Sequence, residues 1–214
     1  MALPRRPADR PTLPPVGTRW PLPSVTVPAD RLLFRLTGTR FPDPAFFGRR
    51  CVHRFDAPDR SYGVCYLGNT LACCFLEVFP PFPTGALGQR MVALGQLRAY
   101  YAARIALLRP LRLAHLTGDS LASLGIDLRV TCGDDYDLAG AWSAAIHAHA
   151  EGVDGIFYPS RHHEGHYSVA LFERARAAVT FARWGELGDK AMPDLWVELN
   201  AILDRFQVSL LADR

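Results

Sequence analysis

The chain has 214 residues, 49% of them hydrophobic, and a formal net charge of +3. That length suits one large domain or one domain with decorations, and the apolar share supports a sizeable core and excludes global disorder. The charge is too small to point to direct nucleic-acid binding, and no apolar run approaches the roughly 18 residues that a membrane span needs.

The first 30 residues are rich in proline and poor in patterned apolar residues, so they are expected to form an extended arm or to wrap loosely on the body. Basic residues near the start have no apolar stretch behind them. The N-terminus therefore makes a poor secretory signal, and a cytoplasmic protein is expected. LLFRLT (32–37) reads as a short strand, and RFPDPAFFG (40–48) as a proline-containing loop. RRCVHRF (49–55) reads as a second strand, and YGVCYLG (62–68) as a third that ends at Gly68.

Asn69 offers an N-cap for a helix through about Phe79, which PPFP (80–83) would end. Apolar, β-compatible stretches run from Met91 to Leu116, broken by Pro110. Thr117 to Leu124 reads as a short helix closed by Gly125. Asp137 is expected to cap another that stops at Gly152. VDGIFYP (153–159) and YSVALF (167–172) read as strands separated by a polar loop. In the tail, Leu195, Leu199, Ile202, Leu203 and Phe206 recur at helical spacing. The mixed order of elements predicts an α+β fold and not an alternating βαβ array.

The five cysteines (Cys51, Cys65, Cys73, Cys74 and Cys132) are odd in number and form no C-x-x-C pair. Buried small hydrophobes in a reducing compartment are the favoured reading. His162, His163 and His166 share one loop, and His147 and His149 one helix, but no cysteine or carboxylate partner stands at ligand spacing, so no metal site is expected.

Three places in the chain are out of keeping with their surroundings. Glu77 is the sole charged residue between Ser61 and Gln89, on a helix that is apolar on every side. A carboxylate there must pair, sit on a narrow exposed edge, or line a cavity. Arg35 interrupts an apolar strand and shares a face with Leu33. It either runs its stem along the surface to water or serves a site. Ser160 and Arg161 follow Pro159 just beyond a buried strand, a position where sites are often built and also an ordinary strand exit.

Together these pieces resemble the RES domain family, named for Arg, Glu and Ser. They are Phe34-Arg35, His53-Arg54-Phe55, Tyr66-Leu67 with the helix bearing Glu77, Asp154-Gly155-Ile156-Phe157-Tyr158-Pro159-Ser160, and the closing Val169-Ala170-Leu171-Phe172. The resemblance covers roughly residues 31–173. It implies a split, strongly bent mixed β-sheet with flanking helices, similar to ADP-ribosyltransferase toxins. It also implies that residues 31–184 form an NAD-binding catalytic domain; the proline-rich N-terminal arm (1–30) and the C-terminal amphipathic helix expected to pack on that domain (185–214) are additions to the family pattern.

The activity implied is that of a toxin cleaving the nicotinamide–ribose bond of NAD⁺ by hydrolysis or phosphorolysis. NAD⁺ would be the substrate, with no further cofactor. The implied partner is an Xre-type helix-turn-helix antitoxin, and an oligomer is compatible. Glu77 would stabilise positive charge on the ribose, and Arg35, with Arg54, would bind pyrophosphate or ribose oxygens. Tyr66 would stack on the nicotinamide, and Ser160 would bond a phosphate or ribose or position the network. Leu36 stands where toxins of the family often carry tyrosine. Two alternatives stay open: an ADP-ribosyltransferase acting on a protein target, and a catalytically silent NAD-binding relative.

Overall fold

A computed structural model describes residues 12–79 and 89–211. Its core is an eight-stranded, strongly curled mixed sheet. The strands are β1 (Ser24–Val27), β2 (Leu32–Gly38), β3 (Val64–Gly68), β5 (Tyr100–Leu107), β6 (Leu111–His115), β7 (Gly155–Pro159), β8 (Tyr167–Phe172) and β9 (Val179–Glu186). They lie in the order β1-β6-β7-β8-β3-β2-β5-β9, and β6–β7 is the one parallel pair among them. A separate parallel pair joins β4 (Arg90–Ala93) to β10 (Val208–Leu211). The helices are α1 (Leu71–Val78), α2 (Leu94–Arg98), α3 (Asp119–Ser123), α4 (Leu128–Cys132), α5 (Tyr136–His147) and α6 (Pro193–Arg205). The α+β class and the bent sheet agree with the expectation.

Side-chain alternation decides which layer covers which face. In β3, Val64 and Tyr66 join a cluster with Trp142 and Ile146 of α5, while Cys65 and Leu67 join a cluster on the opposite face with Leu33, Tyr101 and Ile105. Phe34 and Leu36 of β2 pack with Leu71 and Phe75 of α1 and Leu195 and Leu199 of α6. Because Phe34 pairs with Gly68, those two β2 residues share a face with Val64 and Tyr66. Two helical layers, α1/α6 and α4/α5, therefore lie side by side on one face of the sheet.

The sheet splits between them. β2 and β3 are in register at one pair, Phe34 with Gly68, and then part. The loop leaving β2 comes back against β3, where Gly48 bridges Val64. This split opens the groove that holds the candidate site.

Several local expectations need correction. Residues 49–55 form turns and not a strand, because their donors are taken by side chains. Asp56 accepts from the N–H groups of Val52 and His53 (both 3.0 Å), and the Tyr66 hydroxyl accepts from the Phe55 N–H (2.9 Å). The α1 cap is Thr70, whose hydroxyl accepts from the Cys73 N–H, and not Asn69. Asp135 caps α5 in place of Asp137, and that helix stops at His147, before Gly152. The helix expected from Thr117 starts at Asp119, after Gly118.

Strands β1, β9 and β10 and helix α4 lie where no element was expected. β1 pairs with β6, and the Thr12 carbonyl accepts from the Trp142 indole (2.9 Å), so the described part of the N-terminal stretch lies against the body. The proline run at 80–83 falls outside the described residues.

Candidate active site

Gly68 turns the chain from β3 into α1 at very short range. A side chain there would meet Cys74 Sγ at 2.7 Å and Cys73 Cβ at 3.2 Å, so a residue without Cβ is needed to seat the helix on the sheet. Leu71 through Leu76 are all buried, and Glu77 is the first side chain of α1 to leave the core. It is exposed and lines the groove between the two helical layers. Its Oε1 accepts a hydrogen bond from Ser160 Oγ at 3.3 Å. Among the described residues no arginine or lysine pairs with Glu77.

Ser160 is buried one residue past β7, with its N–H donating to the His166 carbonyl (3.0 Å). Upstream, the Asp154 carboxylate anchors the approach to β7. It accepts two bonds from Arg109 (both 2.7 Å) and one from the Arg112 N–H (2.9 Å). Burial alone would raise the Asp154 carboxyl, but these donors and the Arg109 charge outweigh it and hold the group below its ordinary value.

The groove beside Glu77 encloses about 420 Å³. Its walls include Arg35, Arg54, Tyr66 and Glu77, so four of the five residues to which the resemblance gives a role line it, and the fifth, Ser160, bonds Glu77. Each has a definite setting. Arg35 stands where β2 and β3 separate, and its Nη1 donates to the carbonyls of Pro44 (2.7 Å) and Phe46 (2.9 Å) and contacts Cys65 Sγ (3.0 Å). These contacts pin the 40–48 loop. Among the described residues its Nη2 and Nε have no protein partner, which leaves them for a ligand. Arg54 donates to the Gly133 carbonyl and stacks its guanidinium on Tyr136, 5.0 Å from the ring centre. The Tyr66 hydroxyl donates to Asp56 Oδ1 (3.0 Å) and accepts from the Phe55 N–H, so its ring, and not its oxygen, is what the groove can use. Burial, with the Asp56 charge added, pushes that phenol well above its usual range.

Other groove residues were not picked out from the sequence. Tyr158 and Ser168 form part of the floor, and Thr131 and Tyr136 bring in α4 and α5. Burial and, next, the Glu77 charge push the Tyr158 phenol upward. Arg161, which the sequence did mark beside Ser160, pairs with Asp134 at 2.9 Å and also lines the groove. Asp56 is 2% exposed and organises the turn beneath Arg54. Ser168, Thr131, Tyr136 and Asp56 interrupt no apolar run, so no local signal marks them.

The cysteines divide. Cys65, Cys73 and Cys74 are buried, whereas Cys51 is exposed and Cys132 partly so. The Cys73 thiol, 3.5 Å from Ser168 Oγ, is raised chiefly by burial, which keeps it protonated near neutral pH. His163 and His166 stack at 3.7 Å, and among the described residues no cluster of three histidine, cysteine or acidic side chains could hold a metal ion. Guanidinium groups on two sides, flat aromatic walls and one carboxylate suit an anionic ligand with a flat ring and a centre that gains positive charge.

Comparison with known proteins bears on the family and the fold. The chain is 29% identical over 127 residues to "Probable toxin y4kH" of Sinorhizobium fredii (strain NBRC 101917 / NGR234), covering 59% of this chain and 95% of the relative. Its fold is similar to a chain in the crystal structure of the M. tuberculosis MbcT–MbcA toxin–antitoxin complex. The TM-score is 0.58 at 21% identity, over 82% of this chain and 92% of that one. The RES domain matches residues 32–195, and the chain belongs to the RES domain family.

Proposed function

We propose that the protein is an enzyme that breaks the nicotinamide–ribose bond of NAD⁺, passing ADP-ribose to water or phosphate, and that it acts as the toxin of a toxin–antitoxin pair. The observation that carries the reading is the setting of Glu77. It is a carboxylate without a cationic partner among the described residues, at the mouth of an arginine-lined groove, bonded by one buried serine.

The chemistry needs little else. Nicotinamide leaves as a neutral molecule, so no general acid is required at the leaving group. Positive charge builds on the ribose, as in glycoside hydrolysis, and a nearby carboxylate stabilises it. Glu77 supplies that charge. Ser160 donates to Glu77 and so fixes its position. The free donors of Arg35, with Arg54, hold the pyrophosphate through charge-assisted bonds. The faces of Tyr66 and Tyr158 suit the nicotinamide ring. Leu36 also lines the groove and adds an apolar wall.

A partner is part of the proposal. The similar fold was solved in a toxin–antitoxin complex, and one relative is named a probable toxin. By extension, an Xre-type antitoxin would restrain this chain. The test is nicotinamide release from NAD⁺ by purified protein, with and without phosphate. Release stimulated by phosphate, with ADP-ribose 1″-phosphate as product, marks phosphorolysis, and phosphate-independent release marks hydrolysis. Label from NAD⁺ retained on protein would favour transfer instead, and no release in either condition would overturn the assignment.

A further inference from the structure

A second chamber, of about 680 Å³, adjoins the Glu77 groove. The two share Arg35, Leu36, His53 and Tyr66 as a common wall, on either side of the line where β2 and β3 part. These four residues form a waist between the two chambers, and the second chamber has its own chemistry. Phe41 and Phe46 stack nearly parallel in it, 6.4 Å apart at 12°. The guanidinium groups of Arg40 and Arg50 lie over the Phe41 ring at 4.8 and 5.5 Å. Among the described residues neither arginine is paired with an acid. Asp56 is the acidic residue of the lining, and three donors already engage it: the N–H groups of Val52 and His53 and the Tyr66 hydroxyl.

Two exposed arginines held by an aromatic ring, beside a second aromatic, make a surface for a flat base that carries a phosphate. The volume is within the range of a small-molecule site. Building on the reading of Glu77 given above, we infer that this chamber receives the adenylate half of the dinucleotide. The purine lies against Phe41 and Phe46, and the adenosine-side phosphate or ribose meets Arg40 and Arg50. The nicotinamide riboside half then occupies the Glu77 groove, and Arg35 grips the pyrophosphate at the waist. Selectivity follows: the protein uses the dinucleotide in preference to nicotinamide mononucleotide, which cannot fill the second chamber.

The test compares the parent with an Arg40→Ala/Arg50→Ala double variant. Both side chains are exposed, so the variant keeps its fold. Calorimetry with ADP, which lacks the reacting half, reads the chamber directly. The double variant is expected to bind ADP at least about tenfold more weakly, as loss of charge-assisted bonds implies. In the nicotinamide-release assay its KM for NAD⁺ rises by a similar factor while kcat changes little, and cleavage of nicotinamide mononucleotide is unaltered. Unchanged ADP affinity in a variant whose parent cleaves NAD⁺ would overturn the inference and leave the proposed function standing. An arginine-dependent ADP site in a parent that never releases nicotinamide would do the reverse. Equal use of NAD⁺ and nicotinamide mononucleotide by the parent would also contradict it.

Discussion

Ser160 Oγ donates to Glu77 Oε1 across 3.3 Å, joining a residue just past β7 to the end of α1 over 83 positions of sequence. The Cys73 thiol also interacts with the Ser160 side chain, but the bond to Glu77 is the one that reaches the groove, so Ser160 acts through Glu77. Ser160→Ala is therefore expected to lower kcat about three- to tenfold, the worth of one ordinary hydrogen bond, with KM nearly unchanged. Ser160→Thr, which keeps the donor, is expected to recover part of the loss. Steady-state kinetics on NAD⁺ check both. An Ala variant with the parent's kcat would remove Ser160 from the site.

The ring and hydroxyl of Tyr66 are expected to separate on mutation. Its hydroxyl ties Asp56 to the Phe55 N–H, whereas its ring lines the groove. Tyr66→Phe strands two buried partners and should cost about 1–3 kcal/mol of stability while leaving nicotinamide release within a few-fold of the parent. Tyr66→Ala should lose both. Asp56→Asn should resemble Tyr66→Phe in stability, because the amide cannot accept from all three donors that the carboxylate serves. Denaturant titration and the release assay together resolve the two roles.

His147 gives a pH signature that is independent of catalysis. Its ring stacks on Tyr62 at 3.7 Å, and burial, followed by the Arg174 charge, lowers its pKa to about 4. Between pH 6.5 and about 4 the unfolded chain binds a proton that the folded chain does not. Its contribution to stability therefore falls as pH drops through that window and levels off below it. His147→Phe should flatten the pH dependence of the melting temperature there. A variant curve parallel to the parent's would contradict the low value.

Much of this was legible in the sequence, for physical reasons. β3 and β8 are continuous apolar runs that are buried almost throughout, and α6 carries a helical periodicity that its burial follows. Glu77 and Arg35 stood out because each interrupts an apolar run, where a charge is expensive unless something uses it. The strand expected at 49–55 failed because its apolar pattern said nothing of Asp56, whose carboxylate captures the N–H groups a strand would have paired. β1 was hidden between Pro23 and Pro28, and β9 is half-exposed with charged residues along it; both are edge strands, whose patterns are weak. Ser168 and Thr131 reach the groove only through tertiary packing, and an ordinary serine or threonine leaves no trace of that in one chain.

The role of Glu77 is open to the most direct test. Purified parent and Glu77→Gln protein would be incubated with NAD⁺, with nicotinamide release measured and melting temperatures recorded alongside. Because Glu77 is exposed to the groove, the variant should melt within about 3 °C of the parent. Its rate should fall roughly a hundred- to thousandfold, the effect of removing one preorganised electrostatic group. A folded variant that releases nicotinamide at the parent's rate would contradict the account.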